Sequence, residues 1–124
     1  MDMIKEIAFV GYPTTNMKRS REFYEGVLGL KSSDAFGPLT DESQFAEYLI
    51  GDTAFSLGCM PEWKPSKDGP YIAFEMENFD EAIEKLKANN VTFTMEKVDT
   101  SACFMAMVQD PDGNSILIHK RHNS

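Results

Sequence analysis

The sequence predicts an α+β fold made of two similar modules, each running strand, helix and then three strands (βαβββ). Three observations carry this. A strand-like segment beginning at Phe9 reaches Asn16 and enters a helical pattern, and a second beginning at Tyr71 reaches Asn78 at the same spacing and does likewise. Each helix is followed by strand-like segments divided by turn residues. Between the copies, Pro61, Pro65 and Pro70 stand among charged residues, the composition of a linker. Ile7-Ala8-Phe9 resembles Ile72-Ala73-Phe74, but aligning these would break the strand-to-cap spacing. The boundaries expected are about 1–60 for module one, 61–70 for the linker and 71–120 for module two. A chain of 124 residues supplies one domain with one substantial core.

Residues 4–12 hold Ile4, Ile7, Phe9, Val10 and Tyr12 in weak alternation, which predicts the first strand. Asn16 is an N-cap, because its side-chain oxygen can accept an N–H of the first turn. Met17, Ser20, Tyr24, Val27 and Leu28 share one helical face, with Phe23 at its edge, and Gly29 suits a left-handed stop. A strand is expected over Leu30–Phe36, then two more at Gln44–Ile50 and Thr53–Met60 joined by the Gly51-Asp52 turn. Module two opens with a strand over Tyr71–Met76. Asn78 with Glu81 forms a capping box, and Phe79, Ala82, Ile83 and Leu86 give the helix its apolar face up to Asn89-Asn90. Strands are expected at Val91–Lys97, Ala102–Gln109 and Ser115–Lys120, the last two joined by the turn Asp110-Pro111-Asp112-Gly113-Asn114.

Hydrophobic residues at 42% and charged residues at 26% fit a globular protein, and no apolar run approaches the ~20 residues of a membrane span. The opening Met-Asp-Met-Ile-Lys-Glu lacks a signal-peptide stretch, so two reduced cysteines and a cytoplasmic location are expected. A net charge of −8 argues against nucleic acid, whose phosphates need clustered Lys and Arg; the tail Lys120-Arg121-His122 is too short to reverse it. An acidic surface would attract a cationic ligand, although its ordinary role is solubility.

The doubled βαβββ order, with Phe23-Tyr24-Glu25-Gly26-Val27-Leu28-Gly29-Leu30 after the first cap and Asp-Pro-Asp-Gly-Asn before the last strand, resembles the vicinal oxygen chelate superfamily. Glyoxalase I, bleomycin-resistance proteins and extradiol dioxygenases belong to it. The resemblance implies a glyoxalase/bleomycin-resistance/dioxygenase-type fold, with sheets curled around a cavity, helices on the outer faces, and a homodimer. It also implies four metal-ligand positions, which fall here on Phe9, Ser56, Tyr71 and Leu117. Phe and Leu have no lone pair to donate, and Ser and Tyr hold their protons too tightly to serve a divalent ion at neutral pH. Neither the usual metal nor any other cofactor is therefore expected.

Strand alternation assigns the cavity wall. Phe9, Gly11 and Pro13 share one face, as do Ala54, Ser56 and Gly58; Glu47 lies opposite Ser56 across the hairpin. In module two the corresponding residues are Tyr71, Ala73 and Glu75, then Leu117 and His119, then Cys103, Met105 and Met107. Phe9, Glu47, Ser56, Tyr71, Met105 and Leu117 are the candidate ligand contacts. Trp63 is either a lid or loop packing, Cys59 a core thiol on the opposite parity, and His122 a solvated side chain.

Cys103 is expected about opposite His119, and the resemblance implies that the strand carrying Glu75 lies beside that of His119. A thiol, an imidazole and a carboxylate could then act as nucleophile, base and orienter, or as a displaced metal site, against the plain reading of a satisfied polar patch. Two functions compete. One is a metal-free protein that binds a small organic, preferably cationic, molecule. The other is an isomerase, lyase or thiol-dependent transferase working from Cys103, His119 and Glu75.

Overall fold

The computed structural model describes residues 3–34 and 37–122. They fall into two compact units, 1–64 and 65–124. The fold is α+β, with one mixed sheet in each unit.

In the first unit β1 (Phe9–Pro13) pairs in parallel with β3 (Thr53–Gly58), which pairs antiparallel with β2 (Phe45–Ile50), in the order β1-β3-β2. Gly51 closes the β2–β3 turn at φ 56°, in the left-handed backbone region that favours glycine. The first strand starts later than residue 4. Ile4 and Ile7 lie outside the ladder and are 79% and 66% exposed, so their alternation signals no buried strand. The strand expected over Leu30–Phe36 is reduced among the described residues to a single bridge between Ser32 and Tyr48; Ala35 and Phe36 lie outside the described residues. Asp34 takes a left-handed φ of 56° there, which an extended ladder does not allow.

Asn16 caps α1 (Met17–Arg21) by accepting the Arg19 N–H at 3.0 Å. The helix then widens into a π-helical turn over Glu22–Val27, in which the Leu28 N–H reaches the Phe23 carbonyl at 2.9 Å. The extra residue rotates the buried stripe. Phe23 and Tyr24 are buried, while Val27 and Leu28, expected in the core, are half-buried. Gly29 ends the helix at φ 76°, as its position predicts. Tyr24 packs on Phe55 at 5.0 Å between ring centroids, and Phe55 on Tyr12 at 5.4 Å, so α1 covers the Tyr12–Phe55 face of the sheet. Tyr48 is fully buried, yet its hydroxyl donates to Glu25 at 2.8 Å, and Glu25 also pairs with Arg21 at 2.9 Å. Burial, then the Glu25 hydrogen bond, pushes the Tyr48 phenol far up.

The second unit repeats the plan with one strand more. β4 (Ile72–Glu75) pairs in parallel with β7 (Ser115–Arg121), followed by antiparallel β6 (Cys103–Gln109) and β5 (Phe93–Asp99), in the order β4-β7-β6-β5. The described residues thus form seven strands, where eight were expected. α2 (Phe79–Ala88) is capped by Asn78, which accepts the Glu81 N–H at 3.1 Å, and buries Phe79 and Leu86 while Ile83 stays half-buried. Asn90 stops it at φ 59°. The turn into β7 is organised by Asp110: Oδ1 accepts the N–H groups of Asp112 and Asn114 at 2.9 and 3.0 Å, and Oδ2 accepts the Asn114 amide at 2.9 Å. Among the described residues no helix is long and apolar enough to cross a membrane.

Candidate functional site

On the face of the first sheet turned away from Tyr12 and Phe55 lies a cavity of about 300 Å³, at the small end of organic-ligand pockets. Phe9, Phe45, Met60 and Trp63 supply apolar walls, and Glu47 and Ser56 supply the polar groups. Alternation builds it: Gly11 pairs with Ser56, Glu47 with Ser56, and Phe45 with Gly58, so these residues project to one face. Two glycines make room for the indole. A β-carbon at Gly11 would lie 3.1 Å from Trp63 Cη2, and one at Gly58 would lie 2.7 Å from Trp63 Cζ3. Trp63 therefore leaves the linker to lie across the cavity.

Glu47 Oε1 accepts the Ser33 hydroxyl at 2.9 Å. Its other carboxylate oxygen, and the Ser56 hydroxyl, have no hydrogen-bond partner among the described residues. Phe9 lines the cavity and is also 60% exposed, so its ring edges the mouth. Phe45 and Met60 were absent from the candidate contacts. Phe45 could have been found from its parity with Glu47, two residues along the strand; Met60 lies beyond β3, where alternation carries no information.

The remaining candidates lie in the second unit. Tyr71 precedes β4 and is 55% exposed, whereas Leu117 is buried and Met105 and Met107 are half-buried. Glu75 and His119 are register partners, and Glu75 Oε1 meets His119 Nδ1 at 2.5 Å. Glu75 Oε2 accepts the Arg121 N–H at 2.7 Å. Burial raises the Glu75 carboxyl, but the Arg121 N–H and then the His119 hydrogen bond and charge outweigh it and hold the group below the usual carboxylate range.

Cys103 does not stand opposite His119. The ladder pairs Cys103 with Arg121 and His119 with Met105. Counting back from the turn-closing pair Gln109–Ser115 requires this register. The buried Cys103 sulfur instead meets the Thr100 hydroxyl at 3.4 Å. Cys59 is half-buried, not enclosed in the core, because it follows the last residue of β3. His122 is also engaged: Nε2 donates to the Thr100 carbonyl at 2.8 Å with Asp99 Oδ1 at 3.0 Å, and the ring stands edge-on to Phe104.

Residues 6–118 match the family described as the Glyoxalase/Bleomycin resistance protein/Dioxygenase superfamily. The chain belongs to that superfamily. A solved glyoxalase/dioxygenase from Nostoc punctiforme superposes with a TM-score of 0.79 at 23% identity, covering 94% of this chain and 91% of that one. A glyoxalase/bleomycin resistance protein/dioxygenase from Nocardioides gives 0.73 at 19% identity, covering 98% and 86%. The trivalent organoarsenical cleaving enzyme of Bacillus sp. (strain MD1) is 24% identical over 116 residues, spanning 86% of this chain and 68% of that enzyme.

The superfamily's divalent ion does not fit the donors at its usual positions. Phe9 and Leu117 offer no lone pair, and Ser56 and Tyr71 offer only hydroxyls, which are poor donors to a divalent ion. Among the described residues no group of three or more His, Cys, Asp and Glu side chains is placed to hold a metal ion.

Proposed function

We propose that the protein binds a small, flat, positively charged organic molecule in the cavity of its first unit, without the divalent ion usual in its superfamily. The observation that carries this reading is the pairing of aromatic walls with two polar groups that have no partner among the described residues, the second Glu47 oxygen and the Ser56 hydroxyl. A flat cation would lie against Trp63, Phe9 and Phe45, whose ring faces attract positive charge, while Glu47 neutralises it. The net charge of −8 raises the local concentration of such a ligand.

The chain's single tryptophan is Trp63, so its emission reports on the cavity alone. A titration with N-methylquinolinium should quench it saturably, and the uncharged isostere methylnaphthalene should bind at least about tenfold more weakly, a difference of about 1.4 kcal/mol. Equal affinity for the two, or quenching that never saturates, would remove the cation from the proposal.

A homodimer accompanies this reading. Ile4, Ile7, Phe9 and Leu49 are each at least 60% exposed, a share of apolar surface that a second copy would cover. Sedimentation at micromolar concentration should give twice the chain mass; a monomer there would end this part of the proposal.

The name of the Bacillus relative favours a second reading, that of a lyase acting on a soft, thiol-seeking arsenic centre with Cys103, His119 and Glu75. The register weighs against it, since Cys103 faces Arg121 and bonds to Thr100. Turnover of a trivalent organoarsenical, abolished when the thiols are alkylated, would favour it over binding alone.

A further inference from the structure

The geometry points to a binding site for a soft monovalent metal ion of the Cu(I) class on the second unit, held by His119 Nε2 and the thioether sulfurs of Met105 and Met107. This goes beyond the cavity of the first unit. It also lies off the superfamily's usual ligand positions, which in this unit fall on Tyr71 and Leu117.

The first support is the imidazole's orientation. Glu75 Oε1 takes His119 Nδ1 at 2.5 Å, and the same carboxylate is fixed from its other side by the Arg121 N–H at 2.7 Å. Nδ1 is thus committed, while Nε2 has no hydrogen-bond partner among the described residues. A carboxylate on one ring nitrogen, with the other nitrogen left without a partner among the described residues, is the arrangement found at metal-bound histidines, in which the carboxylate orients the ring.

The second support is what surrounds Nε2. Met105 is the register partner of His119, and Met107 is that of Leu117, so both methionines share its sheet face. That face is turned away from α2, because Phe104, of opposite parity, packs on Phe79 at 5.7 Å. Directly opposed residues hold their β-carbons about 5 Å apart and diagonal ones about 7–8 Å, within reach of a methionine. Both methionines are half-buried, and so is His119, which leaves an entry path.

The third support selects the ion. Glu75 is engaged at both oxygens, so the site offers one imidazole and thioethers but no carboxylate oxygen to spare. The Arg121 charge acts on Glu75 and offsets it locally. A hard divalent ion needs anionic oxygen donors; nitrogen with thioether sulfur suits Cu(I).

The test is a Cu(I) titration of the full-length chain carrying Cys59→Ser and Cys103→Ser, so that thiols cannot hold the ion, with bicinchoninate as competing chelator under ascorbate. About one equivalent should leave the chelator. His119→Ala or Met105→Leu should each weaken binding at least about tenfold, and Glu75→Gln, which removes only the orienting charge, by about 10–100-fold. Met105→Leu nearly conserves volume, and its melting temperature would confirm that it folds. In the same thiol-free chain, with no change at the site itself, Ag(I) should shift the methyl NMR signals of Met105 and Met107 ahead of Met60. No uptake by the thiol-free chain, uptake indifferent to both His119→Ala and Met105→Leu, or Ag(I) shifts that spare Met105 would each overturn the site.

Discussion

In the first unit Gly11 pairs with Ser56 and Pro13 with Gly58; at the matching rungs of the second unit Ala73 pairs with Leu117 and Glu75 with His119. The neighbouring strand continues the contrast, with Phe45 on Gly58 and Glu47 on Ser56 in one unit, and Met105 on His119 and Met107 on Leu117 in the other. The ladders are alike: the first strand of each unit lies parallel to its last, and that last strand is antiparallel to the strand before it. What differs is side-chain bulk at the centre of the open face. Small residues at 11, 56 and 58 leave room that an indole partly fills, whereas Leu117 and His119 stand where Ser56 and Gly58 do. One backbone plan thus yields a cavity in one unit and a face carrying a carboxylate–imidazole pair in the other. The difference is a matter of volume and ligand chemistry, not of topology.

The faces covered by helices should be insensitive to this contrast, and substitution there should have the largest effect. Phe55→Ala removes a ring that touches both Tyr12 and Tyr24, and should cost about 3–5 kcal/mol in denaturant unfolding. Its counterpart Ile116→Ala, fully buried in the second unit, should cost about 2–5 kcal/mol. A loss below about 1 kcal/mol in either would show that the helix-facing layers are not equivalent.

Filling the glycine gap should erase the contrast at smaller cost. In Gly58→Val the new β-carbon would fall within 2.7 Å of Trp63 Cζ3, so the indole must leave its seat. The expected signs are a red shift of tryptophan emission and about 1–3 kcal/mol of lost stability. Gly26→Ala is the control, since nothing lies within 4 Å of a β-carbon there; the change should be neutral or stabilising by about 0.5 kcal/mol, without a spectral shift.

The smallest effect belongs to the charged pair. The Glu75 carboxyl is held below its usual range by the Arg121 N–H and by His119, after these outweigh its burial. A lowered folded-state pKa contributes stability that is complete above the unfolded value and lost as pH falls through the folded one. Glu75→Gln should therefore lower stability at neutral pH by less than about 1 kcal/mol, because both side chains are partly solvated. The difference from the unaltered protein should vanish in acid below the ordinary carboxylate range. A difference that grows as pH falls would have the wrong sign.

The repeat itself was legible because caps and turns are local. Asn16, Asn78, Gly29 and Asp110 each do in the structure what their position in the sequence predicts. Cavity-face parity was legible too, since Phe9, Glu47 and Ser56 reach one cavity by alternation alone. The π-helical turn was not, because an extra residue in a helix leaves no periodic mark over six residues. Nor was the seat of Trp63, which depends on space left by Gly11 and Gly58 on two other segments. The neighbour of His119 was within reach: the closing pair Gln109–Ser115 fixes Met105 as its partner, two residues from the cysteine expected there.

The central claim is that small residues on the first sheet create a site for a flat cation with Glu47 as its counter-charge. Calorimetric titration of N-methylquinolinium into the protein and into Glu47→Gln tests it most directly. The account predicts saturable binding to the unaltered protein, weakened at least about tenfold in the variant, with Trp63 emission quenched in step. Undiminished affinity in Glu47→Gln, or binding heat that leaves Trp63 emission unchanged, would contradict it.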